Sequence, residues 1–422
     1  MMSNRWLILA DDLTGAADCA IAFGRRGLAA AVTWDVTTSG DVSPDDSRPL
    51  PVLAYDADSR GLSASDAAER HRGLLERWLE PDRVLFKKID STLRGQPAAE
   101  TAATMAYLME RTGAAFGICA PAFPATGRTT LAGHVHVAGR PLEDAEVWRR
   151  DHTYASANLG FVLGTAEIET TLVPLSAIRS SDLASRLARI AEGGPGVAIC
   201  DAETDGDLAR IAAASLAVAP VPFFIGSAGL AHALADTLAP APTGAVHIPP
   251  SRSGSLIVVG SLAAASRAAM RRLAAQDHVV HLPVSPDTLL GDLAGRADLA
   301  ARVAAVIAAG DDALVEIAIG DALDMSLGPR LARALAEALD PIATRIGAVA
   351  ATGGETAAAL LARFGIDGIR LVDEIEPGVS LGLTLGRLSI PVATKAGAFG
   401  DAESLIRISE RLRAVRTQGS FS

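Results

Sequence analysis

Cysteine, aromatic residues and surplus basic charge are all scarce in this chain, and each scarcity narrows what it can be. Only three cysteines occur in 422 residues, Cys19, Cys119 and Cys200. They are odd in number, far apart and set in apolar stretches, which argues against a disulfide framework and fits reduced thiols buried as small hydrophobes in a cytoplasmic protein. Aromatic residues make up 4% of the chain against 49% for all hydrophobic residues, and alanine and glycine dominate. That is the composition of helices packed closely on sheets. With 38 Lys and Arg against 49 Asp and Glu, the formal charge is −11. Nucleic acid and anionic membrane are therefore disfavoured as general partners, and an anionic ligand has to be held by a local site.

Long uninterrupted hydrophobic runs are missing as well. Arg5 is followed by only five apolar residues before Asp11 and Asp12, too few for the apolar core of a signal peptide. The stretch 211–235 carries no Asp, Glu, Lys or Arg and is long enough to cross a bilayer. Pro220, Pro222, Gly226 and Gly229 break it, so it reads as a helix, a turn, a buried strand at Pro222–Ile225 and a second helix from near Ser227. Neither GxxxxGK[ST] nor a GxGxxG after the first strand occurs, which leaves P-loop and dinucleotide readings unsupported. No fixed-period repeat, coiled-coil heptad or Ser/His/Asp pattern stands out.

What is present is a regular alternation of short apolar runs with Ala-rich amphipathic stretches, the pattern of parallel strands joined by helices. Strands are predicted at Trp6–Ala10, Ala29–Trp34, Pro51–Ala54, Val84–Lys88, Phe116–Ala120 and Val197–Cys200. A second set is predicted at Leu256–Gly260, Val279–Leu282, Ala313–Ile319, Val349–Thr352 and Pro391–Thr394. The length allows two or three buried cores. Between Ala239 and Ser255 the sequence APAPTGAVHIPPSRSGS, with four prolines and two glycines, reads as a linker. The expected fold is α/β: two three-layer domains with mostly parallel sheets, spanning 1–238 and 256–422 around a linker at 239–255, with the active site in the cleft between them.

Chemistry-bearing residues gather at the predicted strand ends, where ligands of α/β proteins bind. Asp11 and Asp12 follow the first strand and lead into an Ala-rich helix; one carboxylate suffices for an N-cap, which leaves the other for substrate hydroxyls or a cation. The stretch FKKIDSTLRGQ, Phe86–Gln96, places Lys87, Lys88, Asp90, Ser91, Thr92 and Arg94 behind a strand. The two lysines alternate sides, so one of them faces the ligand, and Arg94 offers a planar fork for a carboxylate. Arg60 and the shaped segment with Arg128, Thr129 and Thr130 are further candidates for the same edge. His134 and His136 point to one face of a strand but lack a third ligand at diagnostic spacing, which favours packing over metal binding.

In the second half, Gly260 and Ser261 end one strand, and Gly353, Gly354, Glu355 and Thr356 end another at a helix start. Helix-start amides and glycines allow close approach of phosphate. The loop TKAGAFG, Thr394–Gly400, adds a third such turn, with Lys395 in it.

Taken together, the motifs ADDLTGAAD, KKIDSTLRG, PAFPATGRTTLAGHVHVAG, DAETDGDL, IGSAGLAHAL, VVGS, TGGETA and TKAGAFG are similar in content and order to those of the four-carbon acid sugar kinases. The resemblance covers nearly the whole chain. It implies phosphorylation of D-threonate, D-erythronate or 3-oxo-tetronate with ATP and Mg²⁺, at the 4-hydroxyl, with the amino-terminal domain binding the acid and the carboxy-terminal domain the nucleotide. Asp12, Arg60, Lys88, Asp90, Ser91 and Thr92 then fall in the acid site, with Asp11 and Arg94 as further substrate-binding candidates from the residues themselves, and Ser261, Gly353, Gly354, Glu355, Thr356 and Gly397 in the ATP site. Arg60, Lys88 or Arg94 would hold the carboxylate, and Asp12 or Asp90 would act as the catalytic group, with Asp11 in reserve. The family also implies a homodimer, while the metal ligands are left unassigned. Two places depart from the family pattern: Ala145 stands where a threonine is common, and the AAASRAAM segment after VVGS lacks the usual threonine and glutamine. The rival readings are a non-catalytic sensor of sugar acid and nucleotide, and an NAD-linked oxidoreductase, which the missing GxGxxG opposes.

Overall fold

A run such as Trp6–Ala10, apolar at every position, suits a strand covered on both faces, and its residues are almost completely buried. The computed structural model describes residues 5–34, 50–240, 246–260, 263–318, 327–397 and 399–421. The chain divides into two compact units, Met1–Ala30 with Leu50–Pro242, and Ala31–Pro49 with Thr243–Ser422.

The chain opens with β1 (Arg5–Ala10), α1 (Leu13–Gly24), β2 (Ala30–Thr33) and β3 (Val52–Asp56). Next come α2 (Ala64–Trp78), β4 (Arg83–Lys88), α3 (Pro97–Thr112) and β5 (Phe116–Ala120). A small antiparallel sheet follows, made of β6 (Arg128–Leu131), β7 (His134–Val137) and β8 (Arg140–Pro141). After it come α4 (Glu146–Arg150), α5 (Leu159–Gly164), β9 (Thr170–Val173), α6 (Leu175–Ile178) and α7 (Leu183–Glu192). β10 (Gly196–Cys200), α8 (Asp205–Ser215), β11 (Phe223–Gly226) and α9 (Ala228–Asp236) complete the unit.

Its main sheet runs β3-β1-β4-β11-β5-β10-β9, parallel throughout. From β1 the chain reaches β3 on one side, then crosses to β4 on the other. Lys87 reaches Glu100 on α3 while its neighbour Lys88 lies against Gly15 on α1, so α1 and α3 cover opposite faces. The helices after β1 and β4 therefore leave to opposite faces, which makes the ends of these neighbouring strands a topological switch point.

The second unit contains β12 (Ser255–Val259), α10 (Ala264–Ala274), β13 (Val279–Val284), α11 (Pro286–Gly291), α12 (Leu293–Ala309) and β14 (Asp312–Ile317). It continues through α13 (Gly328–Leu339), β15 (Ala348–Thr352), α14 (Gly354–Arg363), β16 (Ile366–Glu376), β17 (Val379–Gly386), β18 (Pro391–Lys395) and α15 (Ser404–Gln418). Strands β13-β14-β12-β15-β18 are parallel; β17 and β16 continue antiparallel, with β2 next to β16. A second switch point lies between β12 and β15: the chain goes from β12 to β13 on one side, and from β14 across to β15 on the other.

The α/β class and the mostly parallel sheets stand as expected. The β16–β17 hairpin was not anticipated, because Asp373, Glu374 and Glu376 interrupt its first strand and Gly378, at φ +84°, closes the turn. Edge strand β9, with Thr171 and Leu172 exposed, also lacks the buried apolar signature. The segment 211–235 resolves into helix, strand and helix, and among the described residues no helix is long and apolar enough to cross a membrane. All three cysteines are free and buried.

Candidate functional site

At the first switch point, Asp12 caps α1: its Oδ1 accepts from Gly15 N at 3.1 Å and its Oδ2 from Thr14 Oγ1 at 2.7 Å. Arg60, on the loop after β3, bridges three carboxylates. Its Nε donates to Asp11 Oδ2 at 2.7 Å, its Nη2 lies 2.9 Å from Asp12 Oδ1, and Asp90 Oδ1 is 3.5 Å away. Lys88 Nζ sits 3.8 Å from Asp11 Oδ1 and 3.9 Å from Asp12 Oδ1. The strand alternation thus sends Lys88 to this cluster and Lys87 to the other face.

The turn after β4 folds around Asp90. Its Oδ2 accepts from Thr92 Oγ1, from Thr92 N at 3.2 Å and from Arg94 Nε at 2.9 Å, while Arg94 Nη2 donates to Oδ1 at 2.9 Å. Leu93 at φ +59° and Gly95 at φ +78° make this wrap possible, a strained backbone of the kind that collects at functional sites. Gly95 also lets Arg60 approach, since a Cβ there would lie 3.2 Å from Asp11 Oδ2 and 3.4 Å from Arg60 Cα. Ser91 is buried on the same turn.

Burial opposes every charge in this group, and mutual pairing overcomes it. Against burial, the charges of Arg94 and Arg60 hold the Asp90 carboxyl well below the usual range. Arg60 and Lys88 likewise outweigh burial to lower Asp12. Asp11 and Asp12 in turn raise Lys88, and together with Asp90 they raise Arg60 far above its usual value. Three carboxylates and three cations balance, and Arg128, whose guanidinium is pushed down by burial and held up by Asp90, adds one positive charge.

The structure therefore brings together Asp11, Asp12, Arg60, Lys88, Asp90, Ser91, Thr92 and Arg94. Residues not singled out in the sequence surround them. Asp56 ends β3, and burial pushes its carboxyl well above the usual range, with Asp12 and Asp11 adding to the push. Ser59, His71 and Glu100 lie behind the sheet, with Lys87. None carries a local motif: Glu100 is one residue in an Ala-rich helix. His134 pairs with Glu143 at 2.8 Å, and neither His134 nor His136 joins a three-ligand cluster among the described residues.

In the second unit, Gly260 N donates to Thr352 O at 3.2 Å and Gly353 N to Lys395 O at 3.0 Å, so the ends of β12, β15 and β18 lie side by side. Gly353 takes φ +89° as the residue before α14, whose first residue is Gly354. A Cβ on Gly260 would overlap Thr356, so only glycine permits this approach of the two loops. Glu355 is exposed on the first turn of α14. Ser266 Oγ donates to Gly397 O at 2.8 Å, and Lys395 Nζ donates to Ser266 Oγ at 3.3 Å; burial pushes Lys395 down to about 8. Gly353, Gly354, Glu355, Thr356 and Gly397 thus share one sheet edge, and Ser261 lies outside the described residues.

Comparison with known proteins bears on both units. A family described as "Sugar-binding N-terminal domain" matches residues 6–234, and one described as "Nucleotide-binding C-terminal domain" matches residues 256–405. The chain is 42% identical to the D-threonate kinase of Cupriavidus necator, over 95% of this chain and 96% of that one. It is 34% identical to the D-threonate kinase of Bordetella bronchiseptica, over 97% and 98%, and 31% identical to the 3-oxo-tetronate kinase of Methylobacterium radiotolerans, over 94% and 96%. Solved structures from Haemophilus influenzae (TM-score 0.71, 20% identity, 96% of this chain and 100% of that one) and Salmonella typhimurium (0.79, 21%, 96% and 98%) share the fold. Similarity of this extent along both halves means that the chain belongs to the four-carbon acid sugar kinase family.

Proposed function

We propose that the protein transfers the γ-phosphoryl group of ATP to the 4-hydroxyl of a four-carbon sugar acid, with D-threonate as the first substrate to test. The observation that carries this reading is the buried cluster of three carboxylates and three cations at the first switch point, joined by Arg128. Cations held this firmly would receive the carboxylate of the acid without reorganising, and the aspartates would accept hydrogen bonds from its hydroxyls. Arg60, Lys88 and Arg94 would hold the carboxylate.

Among the three aspartates, Asp12 is the one suited to orient the attacking hydroxyl. Its side chain is the most exposed, at 14% against 10% for Asp90 and 3% for Asp11. Asp90, less exposed and wrapped by its own turn through Thr92 and Arg94, positions the cations instead. In the transfer, the hydroxyl oxygen forms a bond to the γ-phosphorus, the bond from that phosphorus to the bridging oxygen breaks, and ADP leaves. The hydroxyl proton passes to the Asp12 carboxylate.

In the second unit, the close approach at Gly260 and the positive φ at Gly353 set the start of α14 at the end of the sheet, where helix-start amides favour a phosphate. This fits a nucleotide at Gly353, Gly354, Thr356 and Gly397. Mg²⁺ would supply charge neutralisation on the phosphates, and Glu355 would be one carboxylate at that strand end to hold it.

The test is ADP release from ATP and Mg²⁺ with D-threonate, D-erythronate, L-threonate and 3-oxo-tetronate in separate reactions. Release with one acid supports the kinase and names the acceptor. Binding of nucleotide and acid without ADP release would instead favour a sensor. Asp12→Asn keeps a good N-cap and should lower kcat by about 10²–10⁴-fold; near-normal turnover would remove Asp12 from the reaction.

A further inference from the structure

Behind the cluster, on the α2 and α3 face of the first unit's sheet, four polar side chains are sealed from solvent: Ser59 0%, His71 0%, Lys87 0% and Glu100 1% exposed. Glu100 accepts from Lys87 Nζ through Oε2 at 2.6 Å and from Ser59 Oγ through Oε1 at 2.6 Å. His71 Nε2 lies 3.1 Å from Ser59 Oγ and 3.3 Å from Glu100 Oε1. Lys87 makes a second hydrogen bond, donating to the main-chain oxygen of Lys88 at 2.7 Å. Burial, helped by the Lys87 charge, pushes the His71 imidazole down, which leaves it neutral at pH 7. Burial works against the Glu100 carboxylate, but the charge of Lys87 outweighs it and the group stays ionised.

Apolar side chains of equal volume often stabilise a core as well as a buried ion pair does, so stability alone does not account for this polarity. Its placement suggests a reason. Lys87 precedes Lys88 and Ser59 precedes Arg60 in the chain, so a single carboxylate on α3 grips the neighbours of both central cations. The Lys87 hydrogen bond also pins the last peptide of β4.

We propose that Glu100 is a positioning residue that clamps the ends of β4 and the β3–α2 loop from behind the sheet and so sets the placement of Lys88 and Arg60. The proposal rests on the reading of their cluster as the acid-binding site. A misplacement of about 1 Å there is enough to cost on the order of 10²-fold in rate, and every residue of the clamp is sealed from solvent.

Lysine composition makes the test direct. The chain has only three lysines, Lys87, Lys88 and Lys395, so nitrogen-15 NMR of lysine side chains gives three assignable signals. The variants are Ser59→Ala, which removes one grip and leaves the ion pair, and Lys87→Met/Glu100→Gln, which removes the charged pair together. Both should move the Lys88 signal and lower kcat/KM for the acid by about tenfold or more, with KM for ATP within about twofold of wild type. If the Lys88 signal and kcat/KM both stay at wild type while only the melting temperature falls, or if the signal moves without any change in kcat/KM, the clamp is structural and the proposal fails. Should the double variant not fold, Ser59→Ala decides alone. Wild-type protein that is silent with every acid would overturn the kinase reading, and the Lys88 signal would then decide the clamp by itself.

Discussion

Asp90 has both carboxylate oxygens engaged by Arg94 and one of them also by Thr92, and this saturation gives it a distinct pH signature. Its folded pKa lies well below the unfolded value, which is about 3.9. The stabilisation it contributes is complete above that value and is lost as pH falls through the folded pKa. Asp56 behaves in the opposite sense: its raised folded pKa means that its contribution is present below about pH 4 and is lost as pH rises through the folded value. Thermal melts across the pH range should therefore show a flatter acid limb for Asp90→Asn and a flatter limb above about pH 4 for Asp56→Asn. Unchanged limbs would contradict these assignments. Arg94→Lys, which exchanges a planar fork for a point charge, should raise KM for the acid about tenfold. At this scale, Asp12 and the KIDST residues were legible because charged groups directly after buried strands are costly without a use, whereas Arg60 was placed with them by the family resemblance. Asp56, Ser59, His71 and Glu100 were not, because their partners lie 12 to 41 positions away or in loops with no motif.

Elements carry their own predictions through two glycines. Gly→Ala inside a helix ordinarily stabilises by about 1 kcal/mol. At Gly15, on the first turn of α1, the added Cβ would strike Lys88 Nζ and Asp12 Oδ1, so Gly15→Ala should depress kcat/KM for the acid while yielding no gain in melting temperature. Gly260→Ala would drive a methyl group into Thr356 and should weaken ADP binding measured by calorimetry, leaving acid binding intact. Equal ADP affinity in that variant would detach the β12 loop from the nucleotide. The parallel strands were readable because continuous apolar runs bounded by Gly, Ser, Thr and Asp have few other uses. The β16–β17 hairpin was not, since its antiparallel pairing leaves one face of β16 partly exposed and its residues charged.

Across the whole molecule, 38 basic residues include only three lysines, and these are 0%, 5% and 1% exposed at Lys87, Lys88 and Lys395. Lysine-directed acylation of the native protein followed by mass spectrometry should leave all three unmodified, while the unfolded chain is modified at each. Fast native labelling of Lys87 would contradict its burial against Glu100. Removing Glu100 alone strands an ammonium in the core and should cost about 3–5 kcal/mol in a denaturant melt, whereas the paired replacement of Lys87 and Glu100 should cost far less. The α/β class, the run of parallel strands and the strand ends at which chemistry gathers were readable along the chain, since periodicity and residue type are local properties. Which charges meet depends on the folded arrangement of the strands. Arg60 stands 49 positions from Asp11 in the chain, and the parallel register of β3, β1 and β4 is what places them 2.7 Å apart.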